Sequence, residues 1–131
     1  MLNFIPKIGI MQGRLSEPIN NQIQSFPQDT WKTEFKKAHQ CGFQVLEWIF
    51  DDISNPLMKN SEIDEIVLLS KKHDISINSV CADYFMKKRL FDVSDSELAK
   101  NFSVLNDLII QCGKIGVKII EIPLVDSSSL Q

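Results

Sequence analysis

Two glutamates stand in apolar company. Glu47 falls inside the run Gly42-Phe43-Gln44-Val45-Leu46-Glu47-Trp48-Ile49-Phe50, and Glu121 closes the run Gly116-Val117-Lys118-Ile119-Ile120-Glu121. A carboxylate buried in such a run without a partner is strongly disfavoured. Each glutamate is therefore expected at a strand's end, facing a polar cavity or a cation. There the two can hold a sugar hydroxyl or act as acid and base. Arg14, beside Gly13 in a polar stretch, offers a forked guanidinium to a phosphate or carboxylate. Asp83 and Tyr84 follow a third, more polar strand candidate and are expected at the same mouth, with Trp48, Phe50 and Phe85 as an apolar wall for a sugar ring. The competing reading gives the carboxylates salt-bridge partners, makes Arg14 a loop-ordering cation and packs the aromatics into the core.

Other reactive side chains read more plainly. Cys81 has no histidine placed to activate it and is expected as a small buried thiol. Lys87-Lys88-Arg89 reads as a solvated loop, and Asp126 as a further rim residue. His39 and His73 sit late in helical segments, at the end of the fold opposite the long loops, so neither is expected to ligate a metal.

The elements that position these groups alternate. Lys7–Met11, Gly42–Phe50, Ile75–Ala82 and Val117–Pro123 read as strands, the second without polar alternation, as in a parallel sheet covered on both faces. Trp31, Phe35 and Ala38 give one helical stripe, and Ile63, Ile66, Val67 and Ser70 a second. Leu98, Phe102, Leu105, Ile109 and Cys112 give a third. Capping signals lie at Asp29 or Thr30, at Ser61 with Asp64, and at Ser94 with Glu97; Gly42 closes the first helix. The tripeptide Gln-Cys-Gly precedes both glutamate runs, at Gln40–Gly42 and Gln111–Gly113, so one unit looks repeated. The order β-α-β-α-β-α-β predicts parallel strands with right-handed crossovers. Helix-to-strand links are tight and strand-to-helix loops long, which puts function at the strands' C-terminal ends.

Composition sets the bounds. The 131 residues allow one domain, 1–131, with a modest core. A net charge of −3 argues against a nucleic-acid binder. No run approaches the length of a membrane span, and three cysteines without a C-x-x-C pair suit a reducing cytoplasm.

Ile8-Gly9-Ile10-Met11-Gln12-Gly13-Arg14-Leu15, Gly42 through Leu46-Glu47-Trp48, and Ser79-Val80-Cys81-Ala82-Asp83-Tyr84-Phe85 together resemble the xylose-isomerase-like (β/α)8 barrels, the sugar-phosphate isomerase/epimerase group. The resemblance maps to the first half of that barrel. It implies an α/β fold, a partial TIM barrel of about four strands and three helices. It also implies an activity: proton transfer beside a sugar carbonyl, assisted by Mn, Mg, Co or Zn. The family's metal ligands lie largely on strands of the second half, at positions outside this sequence, so no metal ligand or catalytic base is assigned here. Arg14, Glu47, Trp48, Asp83, Tyr84 and Glu121 are left as the substrate-binding wall for a sugar or sugar phosphate. Two further expectations follow from the half-barrel: a homodimer through exposed strand edges, or a piece of a longer protein. The alternative to an enzyme is a non-catalytic half-barrel binding or assembly module, or a truncated remnant with no activity.

Overall fold

The structure, a computed structural model, describes residues 5–22 and 24–130; Gln131, where the sequence stops, lies outside that set. Four strands form one sheet in the order β1 (Gly9–Met11), β2 (Val45–Ile49), β3 (Ser76–Cys81), β4 (Ile119–Glu121), and every neighbouring pair is parallel. Four helices accompany them: α1 (Trp31–Gln40), α2 (Asn60–His73), α3 (Tyr84–Lys87) and α4 (Asp95–Ile115). The chain is thus a parallel half-barrel. The short α3 occupies part of a stretch that the sequence reads as loop, and Pro56–Met58 and Asp126–Ser128 add single 3-10 turns.

Strand geometry sorts the side chains. Successive residues point to opposite faces, and the ladder aligns Leu46 with Ile77 and Trp48 with Val80. These four are buried under α1 and α2. The other face carries Met11, Glu47, Ser79 and Ile119 in one row, and Ile49, Cys81 and Glu121 in the next. One irregularity between Leu46 and Glu47 lets Asn78 bulge out, which keeps Ser79 beside Glu47.

The helices end where left-handed residues allow. Gly42 follows the end of α1 at φ +82° and Gly116 closes α4 at φ +83°. Asp74 takes the same role after α2 at φ 52°. The Gln-Cys-Gly repeat is not structural: Gln40–Gly42 straddles a helix end, whereas Gln111–Gly113 lies inside α4. The two glutamates also differ by a row. Met11 and Ser79 flank Glu47, while Cys81 flanks Glu121, which places Glu121 nearer the strands' C-terminal ends.

Two capping expectations are corrected. Thr30 precedes α1 without a side-chain cap bond, and α2 starts at Asn60 after Lys59 rather than at a Ser61 box. Ser94 does cap α4, its Oγ accepting from the Glu97 N–H at 3.3 Å. The stripe on α4 is only half used. Leu108 and Cys112 are buried, but Phe102 and Ile109 remain 49% and 53% exposed. α2 packs against one side of α4 and leaves this flank uncovered among the described residues.

Candidate functional site

The first long loop, between β1 and α1, is pinned by a buried carboxylate. Glu34 on α1 is fully buried and accepts from the Gly13 N–H at 3.0 and 2.9 Å, the Leu15 N–H at 3.3 Å and Ser16 Oγ at 2.8 Å. Only glycine serves at position 13. Its φ is +85°, and a Cβ there would meet the Ser25 carbonyl at 2.8 Å. Gln12 Oε1 accepts from the Ile49 N–H at 3.1 Å, and Asp51 Oδ2 from the Phe26 N–H at 2.9 Å. These bonds draw the loop across the C-terminal ends of β1 and β2.

The loop thereby brings Gln24 to the end of β3. Gln24 Nε2 donates to Asp83 Oδ2 at 2.6 Å and lies 3.5 Å from Cys81 Sγ; the thiol in turn donates to Asp83 Oδ1 at 3.3 Å. Around this cluster opens a cavity of about 790 Å³ at the C-terminal ends of the strands. Asp51, Asp52, Asp83, Glu121 and Asp126 line it against a single cation, Lys87, among its lining residues. Gln22, Gln24 and Ser127 add neutral hydrogen-bonding groups; Met11, Met86, Pro123 and Val125 add apolar surface.

The ionisation of this cluster follows from burial. The Cys81 thiol is pushed up to about 12, first by loss of solvent and then by the hydrogen bond to Asp83, with Glu121 and Glu47 adding negative charge. It is a neutral thiol, not a nucleophile. Asp52 is held below the usual carboxylate range by the Ser54 N–H, which it accepts at 2.8 Å. Burial, with Asp52 nearby, raises the Tyr84 hydroxyl.

The sequence-derived candidates divide. Asp83 and Glu121 meet at the cavity. Glu47 lies one row deeper on the same face, its Oε1 accepting from Ser79 Oγ at 2.8 Å. Trp48 is corrected from wall to core. It is fully buried on the opposite face, 5.4 Å from the Phe26 ring and 5.6 Å from Trp31, with Nε1–H donating to Asn55 Oδ1 at 2.9 Å. Phe50 and Phe85 are buried with it, and Tyr84 packs against both with ring centroids 5.3 Å apart, tilted to Phe50 and edge-on to Phe85. Arg14 is at the correct end of the sheet but elsewhere, lining a separate cavity of about 480 Å³ with Ser16, Asp29, Thr30 and Lys37. Lys87, read as solvated, and Asp126 do reach the large cavity. Gln24, Asp51 and Asp52 line it without having been singled out in the sequence. Asp51-Asp52 directly after the second strand is the signal that could have found two of them.

A divalent metal does not fit this donor set. Asp83 uses both oxygens on Gln24 and Cys81, and Cys81 keeps its proton. His39 and His73 lie at the ends of α1 and α2, beyond the opposite end of the sheet. Among the described residues, no three His, Cys, Asp or Glu side chains gather closely enough to hold an ion. No protein-family model matches the chain, and no curated protein matches it. No helix among the described residues is long and apolar enough to cross a membrane.

Proposed function

We propose that the chain forms the substrate-binding wall of a sugar isomerase/epimerase of the xylose-isomerase-like kind, and that its ligand is a neutral polyhydroxylated molecule. The observation that carries this reading is the convergence of Asp83, Glu121 and Gln24 on one cavity at the C-terminal ends of four parallel strands. Active sites of parallel barrels lie at that end. Carboxylates and amides are the groups that accept from and donate to sugar hydroxyls, and the methionines and Pro123 suit the apolar face of a ring.

Charge selects among sugars. Five carboxylates against one ammonium repel a phosphate dianion, so the cavity favours the free sugar over its phosphate ester. In this reading Asp83 orients a hydroxyl through its fixed carboxylate, Glu121 accepts a second, and Gln24 holds Asp83 in place. Neither a proton-transfer base nor a metal ligand is assigned to these four strands. The odd number of reduced thiols, Cys41, Cys81 and Cys112, supports placing the protein in the cytoplasm.

A second reading, a non-catalytic assembly module, is favoured by the partly exposed inner face of the sheet, where Ile119 is 62% exposed. Calorimetric titration with aldoses, ketoses and their phosphate esters separates the readings. We expect free sugars to bind more tightly than their esters, and Asp83→Asn or Glu121→Gln to weaken binding by about tenfold. Tighter binding of the phosphate esters, or no heat from any sugar, contradicts the first reading.

A further inference from the structure

Two donors converge on one neutral oxygen where α2 begins. Asn60 is the first residue of α2, and its Oδ1 accepts from Gln111 Nε2 at 2.9 Å and from Lys114 Nζ at 3.0 Å. Gln111 and Lys114 stand three residues apart on α4, so both reach out from one face of that helix. Asn60 and Lys114 are exposed, whereas Gln111 is only 8% exposed.

The charge at this point is one-sided. The first N–H groups of a helix carry positive partial charge, and no side chain caps those of α2. Lys59 precedes the helix and Lys114 reaches its first residue. Cations are disfavoured at that end of a helix. Neither lysine makes an ion pair among the described residues, and Glu62, the acid of the first turn, faces Lys32 at 3.9 Å. The Gln111 amide is itself half satisfied: its Oε1 is buried without a partner. Turning the amide over would set that oxygen against Asn60 Oδ1. Turning Asn60 as well would set its NH2 against the Lys114 ammonium. The acceptor therefore stays unpaired, which is costly in a buried place.

A ligand that resolves both features brings negative oxygens for the donors and one hydroxyl for Gln111 Oε1. Hydrogen phosphate carries both on one centre at neutral pH. Sulfate matches its size and charge but holds no proton, and phosphate monoesters lose their last proton near about pH 6. We propose that the N-terminus of α2, with Gln111 and Lys114 of α4, is a site for inorganic phosphate. The anion displaces the exposed Asn60 side chain and takes over both of its donors. One phosphate oxygen then stands in the place of Asn60 Oδ1, and the hydroxyl turns to Gln111 Oε1. Asn60, Gln111 and Lys114 are not among the residues that line the acidic mouth, so the site does not depend on the sugar reading.

Calorimetric titration of the full chain with sodium phosphate and sodium sulfate, at neutral pH and matched ionic strength, tests the site. Phosphate is expected to bind about tenfold more tightly, because sulfate leaves Gln111 Oε1 unpaired. Lys114→Gln, at an exposed position, is expected to weaken both anions together by about tenfold. Gln111→Met is expected to bring the two anions to equal affinity. Amide NMR with phosphate is expected to move residues 59–62, 111 and 114 and to leave residues 81–84 in place. The comparison of the two anions on the unaltered chain decides even if Gln111→Met fails to fold. Equal affinity for phosphate and sulfate, no saturable phosphate binding, full affinity in Lys114→Gln, or shifts confined to other residues would each overturn the site.

Discussion

Glu34 shows how one side chain fixes a loop. Its carboxylate accepts from two backbone N–H groups and Ser16 Oγ with no access to water. Glu34→Gln replaces one acceptor oxygen by a donor facing those same donors. We expect a loss of about 3 kcal/mol in urea unfolding, the scale of a buried charge-assisted bond left unpaired. The thiols make a second residue-level prediction. Burial raises Cys81 and Cys112 to about 12, while Cys41 is exposed. A thiol reagent at mildly alkaline pH should titrate Cys41 alone in the folded chain. The unfolded chain releases its thiol protons from about pH 8.5 upward, whereas the folded chain holds these two. Stability is therefore complete below that pH and falls as pH rises toward 12, which denaturation at stepped pH will register. His73 acts at the other limb. Desolvation, then Lys72, His39 and Lys36, lower its affinity for a proton, so the unfolded chain binds protons more readily below about pH 6.5 and stability declines as pH falls through that range.

At the scale of elements, what was legible in the sequence is what local chemistry determines. The parallel order, the strand centres and the glycine after α1 follow from apolar runs, glycine positions and loop lengths. Gly116 tests this directly. Nothing lies within 4 Å of a Cβ built there, so Gly116→Ala should lose only the left-handed backbone penalty, about 1 kcal/mol. Trp48 shows where the reading failed although the signal was present. Neighbours along a strand point opposite ways, so Glu47 on the inner face obliges Trp48 to face α1. Trp48→Ala should therefore cost about 3–5 kcal/mol as a core truncation, and not act through ligand affinity. Gln24 and Glu34 were illegible for another reason. Their partners lie 59 and 21 residues away, and no periodicity in the chain encodes those contacts. Arg14 shares that limit, since the fold of the loop, not its position in sequence, sets which cavity it lines.

For the whole molecule, the account rests on one geometric fact with one chemical consequence. Parallel strands put their C-terminal ends together, and the last residue of β4 with the loops that leave the strands gathers five carboxylates and the Gln24 amide round a cavity of about 790 Å³. In the proposed reading the acidic mouth disfavours a phosphate group, since phosphate sites place cations or helix N-termini at the anion. The most direct test is amide NMR of the isotopically labelled chain during titration with a free ketose. Shift changes are predicted at Gln24, at residues 81–84 and at residues 121–127. Changes confined to residues 14–19, 29–30 and 37, which line the other cavity, or none at saturating sugar, would contradict the assignment of the mouth as the binding site.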